Sequence, residues 1–268
     1  MRRSVRVTAI AAACAIAGGA LYGTGVATAG DNGKVTEAKH SSEPYNIGKL
    51  VTEIDTYYGT TKDANGVYQA SPDSAYAKDT ASVLDEAKKD IKPLAAKGLK
   101  KGEKPAIILD VDDTLLLSLD YEKKTNYTYN STTWAAYVDQ ADRPAVPGMT
   151  GLVDYANSKG VEVFLLSGLA EAQRGSAVKN LTADGYDLNL ATDHVFLKNK
   201  AAPPAYLSNC ATATSWTCTT VQYKAGTRAY VESLGYDIIG NFGDQYSDLE
   251  GGYADETYKI PNPTYFVS

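Results

Sequence analysis

The sequence predicts an α/β protein, a Rossmann-like parallel sheet flanked by helices, with an N-terminal helical extension and a small lid insert. Three observations lead there. After Pro105, short apolar runs alternate with helical stretches, the order expected of a sheet covered on both faces. Three of the four runs end in polar residues, where such sheets gather a ligand site at the carboxyl ends of their strands. Ahead of Pro105 the apolar spacing is helical only.

In chain order, the first element is an address. Arg2, Arg3 and Arg6 precede an apolar, Ala-rich run from Val7 to about Val26, and Ala27-Thr28-Ala29 follows. These are the three parts of a secretory signal, and the small residues favour cleavage after Ala29 over an uncleaved membrane anchor. Residues 1–29 are therefore expected to be removed, residues 30–44 to form a polar, flexible leader, and 45–268 to carry the working domain. Secretion or a periplasmic or extracellular location follows, with no membrane attachment after cleavage. Cys14 leaves with the signal, and Cys210 and Cys218 remain, paired in a disulfide or left as two thiols; export favours the disulfide.

From Tyr45 to Lys97 two helices are expected. Ile47, Leu50, Val51 and Ile54 recur at helical spacing, as do Ala77, Ala81, Leu84, Ala87 and Ile91. The stretch from Gly59 to Pro72 reads as a loop, and Pro93 and Gly98 as the stop of the second helix. Strands are expected at Ala106–Leu109, Val161–Leu166, His194–Leu197 and Tyr236–Ile239. Helices are expected at Gly148–Lys159, Glu171–Asp184 and Gln222–Leu234.

Charge and composition exclude several functions. A net charge of −6 argues against holding a nucleic-acid polymer or anionic lipid on a general basic surface. With only His40 and His194, a histidine-rich metal centre is excluded by count. The chemistry must rest on carboxylates, lysine or hydroxyls.

The first strand runs into Asp110-Val111-Asp112-Asp113-Thr114. If the strand direction persists, Asp110 and Asp112 emerge on one side, and their mutual repulsion calls for a divalent cation and an acid that exchanges protons. A loop whose acids cap the next helix is the plainer reading. The second strand ends at Ser167-Gly168, a hydroxyl and a turn of amides suited to a phosphoryl oxygen, or merely a turn. Lys224, with Lys198 as competitor, offers a charge to neutralise phosphate, although a lone lysine is usually solvated. The fourth strand leads to Gly243-Asp244 and Asp248, two acids at helical spacing. Asp244 could complete a magnesium site with Asp110, or cap a helix.

Taken in order, the Asp-x-Asp-x-Thr, Ser167, Lys224 and Gly-Asp-x-x-x-Asp segments resemble the four motifs of the haloacid dehalogenase superfamily. The likeness is greatest to its secreted acid phosphatases of class B type, the branch that includes plant vegetative storage proteins. Leu109–Leu116, Phe164–Gly168, Tyr223-Lys224, Gly243–Leu249 and Lys259-Ile260-Pro261-Asn262-Pro263 carry the resemblance. It implies phosphomonoester hydrolysis in two steps. Asp110 is the expected nucleophile, and Asp112 the acid and then the base. Ser167 and Lys224 are expected to bind phosphoryl oxygens. Mg2+ is expected on Asp110, the Asp112 carbonyl and Asp244, with Asp248 behind them. Leu169 departs from the Arg that related chains often carry after Ser/Thr-Gly.

The insert at about 116–147 holds Tyr121, Tyr127, Tyr129, Trp134 and Tyr137. These aromatics either stack on a nucleobase or aryl leaving group, so that nucleotide or aryl phosphates become candidate substrates, or pack among themselves. Arg174 and Arg228 read as solvated helix faces. Asn126, Asn130 and Asn180 head glycosylation sequons. The same site also fits a phosphotransferase, and the same fold a non-catalytic storage or binding protein. Oligomeric state is not readable.

Overall fold

In the computed structural model, which describes residues 44–96 and 102–267, the apolar spacing of the N-terminal region forms the two expected helices. The signal at 1–29 and the leader, except Pro44, lie outside the described residues. Helix α1 (Ile47–Tyr58) starts at Asn46, whose side chain accepts from the Lys49 amide, one of the donors a first turn leaves open. A hairpin of β1 (Thr61–Lys62) and β2 (Tyr68–Gln69) occupies part of the expected loop. Helix α2 (Ala75–Ala96) buries Leu84, Ala87 and Ile91. Pro93 does not stop it but lies in its last turn, where the missing amide costs one bond and little of the helix remains to be broken. Gly98 is outside the described residues.

The remaining elements, in order, are β3 (Lys104–Leu109), α3 (Leu119–Lys124), α4 (Ser131–Val138), α5 (Met149–Ser158), β4 (Glu162–Ala170), α6 (Arg174–Ala183), β5 (Val195–Lys198), β6 (Ala211–Thr212), β7 (Ser215–Trp216), α7 (Thr220–Ser233), β8 (Tyr236–Gly243), α8 (Tyr246–Leu249) and β9 (Thr257–Lys259). Strands order as β5-β4-β3-β8-β9, and every pair is parallel. The four expected strands are all present. The fifth, β9, is three residues long, too short for an apolar run or a period to mark it.

Strand β3 alternates between two cores, which is why its apolar run is continuous. Ile107 and Leu109 join Leu84, Ile91, Leu152 and Val153 on one face. Ala106 and Ile108 join Phe164, Tyr223 and Val231 on the other. Parallel register then brings the carboxyl ends together: Leu109 lies beside Leu165 of β4 and Phe242 of β8. The Asp110 amide donates to the Phe242 carbonyl at 3.0 Å, one residue past β3.

Helices α3 and α4 make up the insert. Tyr121, Trp134 and Tyr137 pack on one another with ring centroids 5.0 to 5.8 Å apart, so the packing alternative holds for these three, and Tyr129 is the aromatic left 67% exposed. Cys210 and Cys218 are disulfide-bonded around the β6–β7 hairpin, with Cα atoms 4.8 Å apart. Among the described residues, no helix is long and apolar enough to cross a membrane.

Candidate active site

The loop after β3 closes on itself. Leu115 and Leu116 donate their amides to the Val111 carbonyl, both at 2.9 Å, and the Asp113 amide donates to Leu116 at 2.8 Å. Asp113 takes a φ of 52°, and its side chain accepts from the Ser118 amide at 2.8 Å. The extended direction therefore ends at Asp110, and neither Asp110 nor Asp112 caps α3, whose N-cap position is Ser118. Because the chain turns there, the two carboxylates acquire different partners.

Asp110 is 5% exposed. Its Oδ1 accepts from Lys224 Nζ at 2.5 Å, and the same ammonium donates to the Leu166 carbonyl at 2.5 Å and lies 3.1 Å from Asp248 Oδ1. Lys224 projects from the first turns of α7, started by a reciprocal cap in which Thr219 accepts from the Gln222 amide and Gln222 from the Thr219 amide. At 2% exposure Lys224 is no solvated lysine. Burial disfavours its charge, but Asp110 and Asp248 outweigh burial and hold its pKa above the ordinary value. Lys198 instead lies over the Tyr223 ring.

Asp112 faces elsewhere. Its Oδ1 accepts from Arg143 Nη1 at 2.6 Å and its Oδ2 from the Ser167 hydroxyl at 3.3 Å. Ser167 is itself fully buried, and its Oγ also accepts from the Leu169 amide at 3.0 Å. Leu169 is a core residue.

Gly243 ends β8, and its lack of a side chain is what lets Asp248 approach. A Cβ there would stand 2.4 Å from the Cβ of Asp248. Asp244 follows, with Oδ2 accepting from Gln245 Nε2 at 2.6 Å and from Asn262 Nδ2 at 2.7 Å. Gln245, not Asp244, occupies the N-cap position of α8. The Asp248 carbonyl accepts from Arg228 Nη1 at 2.6 Å and Asn241 Nδ2 at 3.0 Å.

Carboxylate oxygens of Asp110, Asp244 and Asp248 come within 4.8 Å of one another, all three residues being buried. Burial, reinforced by Asp248 and Asp244, pushes Asp110 above the usual carboxylate range although Lys224 opposes it. Burial, then the Asp248 charge, pushes Asp244 up to about 7. Three buried acids against one ammonium leave negative charge uncompensated. The donor set is oxygen only, and oxygens on opposite sides of a small octahedral ion would be about 4.2 Å apart. An all-oxygen, acid-rich cluster is the donor set a hard divalent cation takes, and the 4.8 Å within which its oxygens lie reaches a little beyond that spacing.

Comparison with known proteins agrees. Residues 49–268 match the haloacid dehalogenase superfamily, subfamily IIIB (acid phosphatase). The chain belongs to this family. It is 30% identical to the stem 28 kDa glycoprotein of Glycine max over 177 residues, 64% of each chain. It is also 30% identical to vegetative storage protein 2 of Arabidopsis thaliana over 223 residues, 81% of this chain and 76% of that one. The match thus spans less than two thirds of the soybean relative. A crystal structure of the class C acid phosphatase from Bacillus anthracis with tungstate bound shares the fold, with a TM-score of 0.54, 22% identity and coverage of 71% of this chain and 81% of that chain.

Asp110, Asp112, Ser167, Lys224, Asp244 and Asp248 come together around the carboxyl ends of β3 and β8. One further residue there, Arg143, carried no sequence signal. Arg143 stands in the insert between Asp142 and Pro144, and a lone arginine in a loop reads as surface; in the structure its side chain is fully buried. Its backbone is clamped by Asn180, which accepts from the Arg143 amide at 3.0 Å and donates to its carbonyl at 2.8 Å. Asn180 is therefore buried and engaged, which removes one of the sequons. Gln245 and Asn262 lie in stretches that carry the family resemblance, but no local pattern marked them as donors to Asp244. Arg228, expected on a solvated face, is fully buried. Its guanidinium donates to the carbonyls of Asp248, Glu250 and Gly252 and fixes the loop after α8. Arg174 is part-buried, pairing with Glu171 and donating to the Val195 carbonyl at 2.9 Å.

Proposed function

We propose that the protein is a secreted, magnesium-dependent acid phosphatase that hydrolyses small phosphomonoesters through a phosphoryl group carried on Asp110. The observation that carries this reading is the buried Asp110–Lys224 contact, with Asp112 two residues on and held by different partners. One acid is thereby oriented beside a fixed positive charge, and the other is kept apart from it for proton transfer.

In the first step the Asp110 oxygen not held by Lys224 attacks phosphorus. The bond to the leaving oxygen breaks, and Asp112 gives that oxygen a proton. In the second step Asp112 takes a proton from water, the water oxygen attacks phosphorus, and Asp110 is released as carboxylate. The Ser167 hydroxyl and the Lys224 ammonium meet phosphoryl oxygens and offset their charge. Asp110, the Asp112 carbonyl and Asp244 would hold magnesium, with Asp248 behind them, and the ion would neutralise phosphoryl and carboxylate charge.

The signal reading of residues 1–29 supports secretion, and the Cys210–Cys218 disulfide fits an oxidising compartment. The test is phosphate release from a small aryl phosphate, from mildly acidic to neutral pH, with magnesium and then with chelator. Release that chelator stops and Asp110→Asn abolishes, without unfolding, is the expected result. Normal turnover in Asp110→Asn rejects Asp110 as nucleophile. No release by folded, metal-bound protein from that ester, nucleotides or sugar phosphates moves the reading to a storage or binding protein on the same fold.

A further inference from the structure

The segment Pro261–Val267 returns to the site, and the reaction above makes no use of it. Strand β9 pairs with β8 as far as Lys259 opposite Gly243, and the Ile260 amide donates to the Gly243 carbonyl at 2.9 Å. The ladder thus delivers the chain beside the residue that precedes Asp244. Asn262 stands between Pro261 and Pro263, whose rings restrict the backbone on either side. Its side-chain oxygen accepts from the Thr264 amide at 2.9 Å and the Thr264 hydroxyl at 2.6 Å. That fixes which end of the amide is which, and Nδ2 is left to donate to Asp244 Oδ2.

The second donor on that oxygen, Gln245, is tied to the same segment. The Val267 amide donates to Gln245 Oε1 at 2.9 Å, and the Ser247 hydroxyl donates to the Val267 carbonyl at 3.1 Å. Both amides that hold Asp244 are therefore supported by a stretch of chain that supplies no acid and no phosphate-binding group.

We propose that Pro261–Val267 is a positioning arm for the cation site, with Asn262 as its principal positioning residue. Asn262 directly, and Val267 by way of Gln245, saturate Oδ2 of Asp244 and present the other oxygen to the ion. A carboxylate free to rotate would lose orientational entropy on binding and would trade donors with its neighbours; one already held on Oδ2 does neither. Hydrogen-bond partners behind metal ligands are generally worth tenfold to a hundredfold in affinity. The inference rests on the metal-dependent reading above.

The experiment is calorimetric titration of magnesium into the full chain, alongside Asn262→Ala and a chain ending at Thr264, with thermal melts of each metal-free protein. Asn262→Ala is expected to raise the magnesium Kd about tenfold or more and to shrink the stabilisation that magnesium gives on melting. The chain ending at Thr264 keeps Asn262 but loses both ties of Gln245 to the segment, the Val267 amide and the Tyr265 carbonyl, and is expected to raise Kd by a smaller factor. A Kd within twofold of the parent in folded Asn262→Ala overturns the proposal, as does a loss of metal-free stability with no change in Kd, which marks a structural turn only. Should Asn262→Ala not fold, an unchanged Kd in the folded shorter chain overturns it equally. Absence of magnesium binding by the parent chain rejects the metal-dependent reading itself and the arm's role with it.

Discussion

Arg143 and Asp112 form an ion pair across the insert, Nη1 to Oδ1 2.6 Å, in which the arginine side chain is fully buried and the aspartate 17% exposed. A guanidinium drawn from solvent costs several kcal/mol unless a partner compensates. Among the described residues, Nε and Nη2 have no hydrogen-bond partner, and Asp112 is the carboxylate bonded to the remaining nitrogen. The pair therefore fixes Asp112 at the same time as it stabilises the insert.

Arg143→Met is expected to lower stability by about 3 kcal/mol, the low end for breaking a buried pair, because Asp112 remains partly hydrated. With Asp112 released, turnover falls by about a hundredfold, and more for alkyl phosphates, whose leaving oxygen needs the proton, than for aryl phosphates with acidic leaving groups. Comparison of kcat across the two ester classes checks this. Equal losses on both would assign Arg143 to packing alone.

Gly243→Ala is expected to disrupt the cation site out of proportion to its size. The new methyl would overlap the Asp248 side chain, 2.4 Å from its Cβ and 2.7 Å from its Oδ2. Either β8 shifts or Asp248 leaves its contacts with Lys224 and the Gln245 amide. Magnesium titration of the folded variant should give at least a tenfold weaker Kd; parent-like affinity would mean that Asp248 moves aside without consequence.

Stability should fall as pH rises toward neutrality and above. Glu122 lies in α3 at 5% exposure, and burial pushes its pKa up to about 7 from an ordinary 4.5. The folded state thus binds this proton more tightly than the unfolded chain. The resulting stability is fully present below about pH 4.5 and is lost as pH climbs through about 7. Asp184, raised by burial to about 6 against the pull of Arg143, adds in the same direction. Glu122→Gln, neutral at every pH, is expected to flatten the decline of melting temperature between pH 5 and 8. A decline as steep as the parent's would show that Glu122 is hydrated.

The order of strands and helices, the carboxyl-end motifs and the acid-rich chemistry were legible in the chain because each is local. Apolar runs such as Ala106–Leu109 report burial on both faces, and Asp110, Asp112, Asp244 and Asp248 stand next to the strands that carry them. Lys224 was nameable from its family spacing, although nothing local distinguishes a buried lysine from a solvated one. Strand β9, the tie of Asn262 to Asp244, and the burial of Arg143 and Arg228 were not legible. Each depends on a partner far along the chain: Asn262 lies 18 residues from Asp244, and Arg143 lies 31 from Asp112. By itself the sequence determined which side chains could do chemistry and at which ends of which strands. Only the tertiary structure decided which of them meet, because a single aspartate or arginine looks the same in a sequence whether its charge faces water or a buried partner.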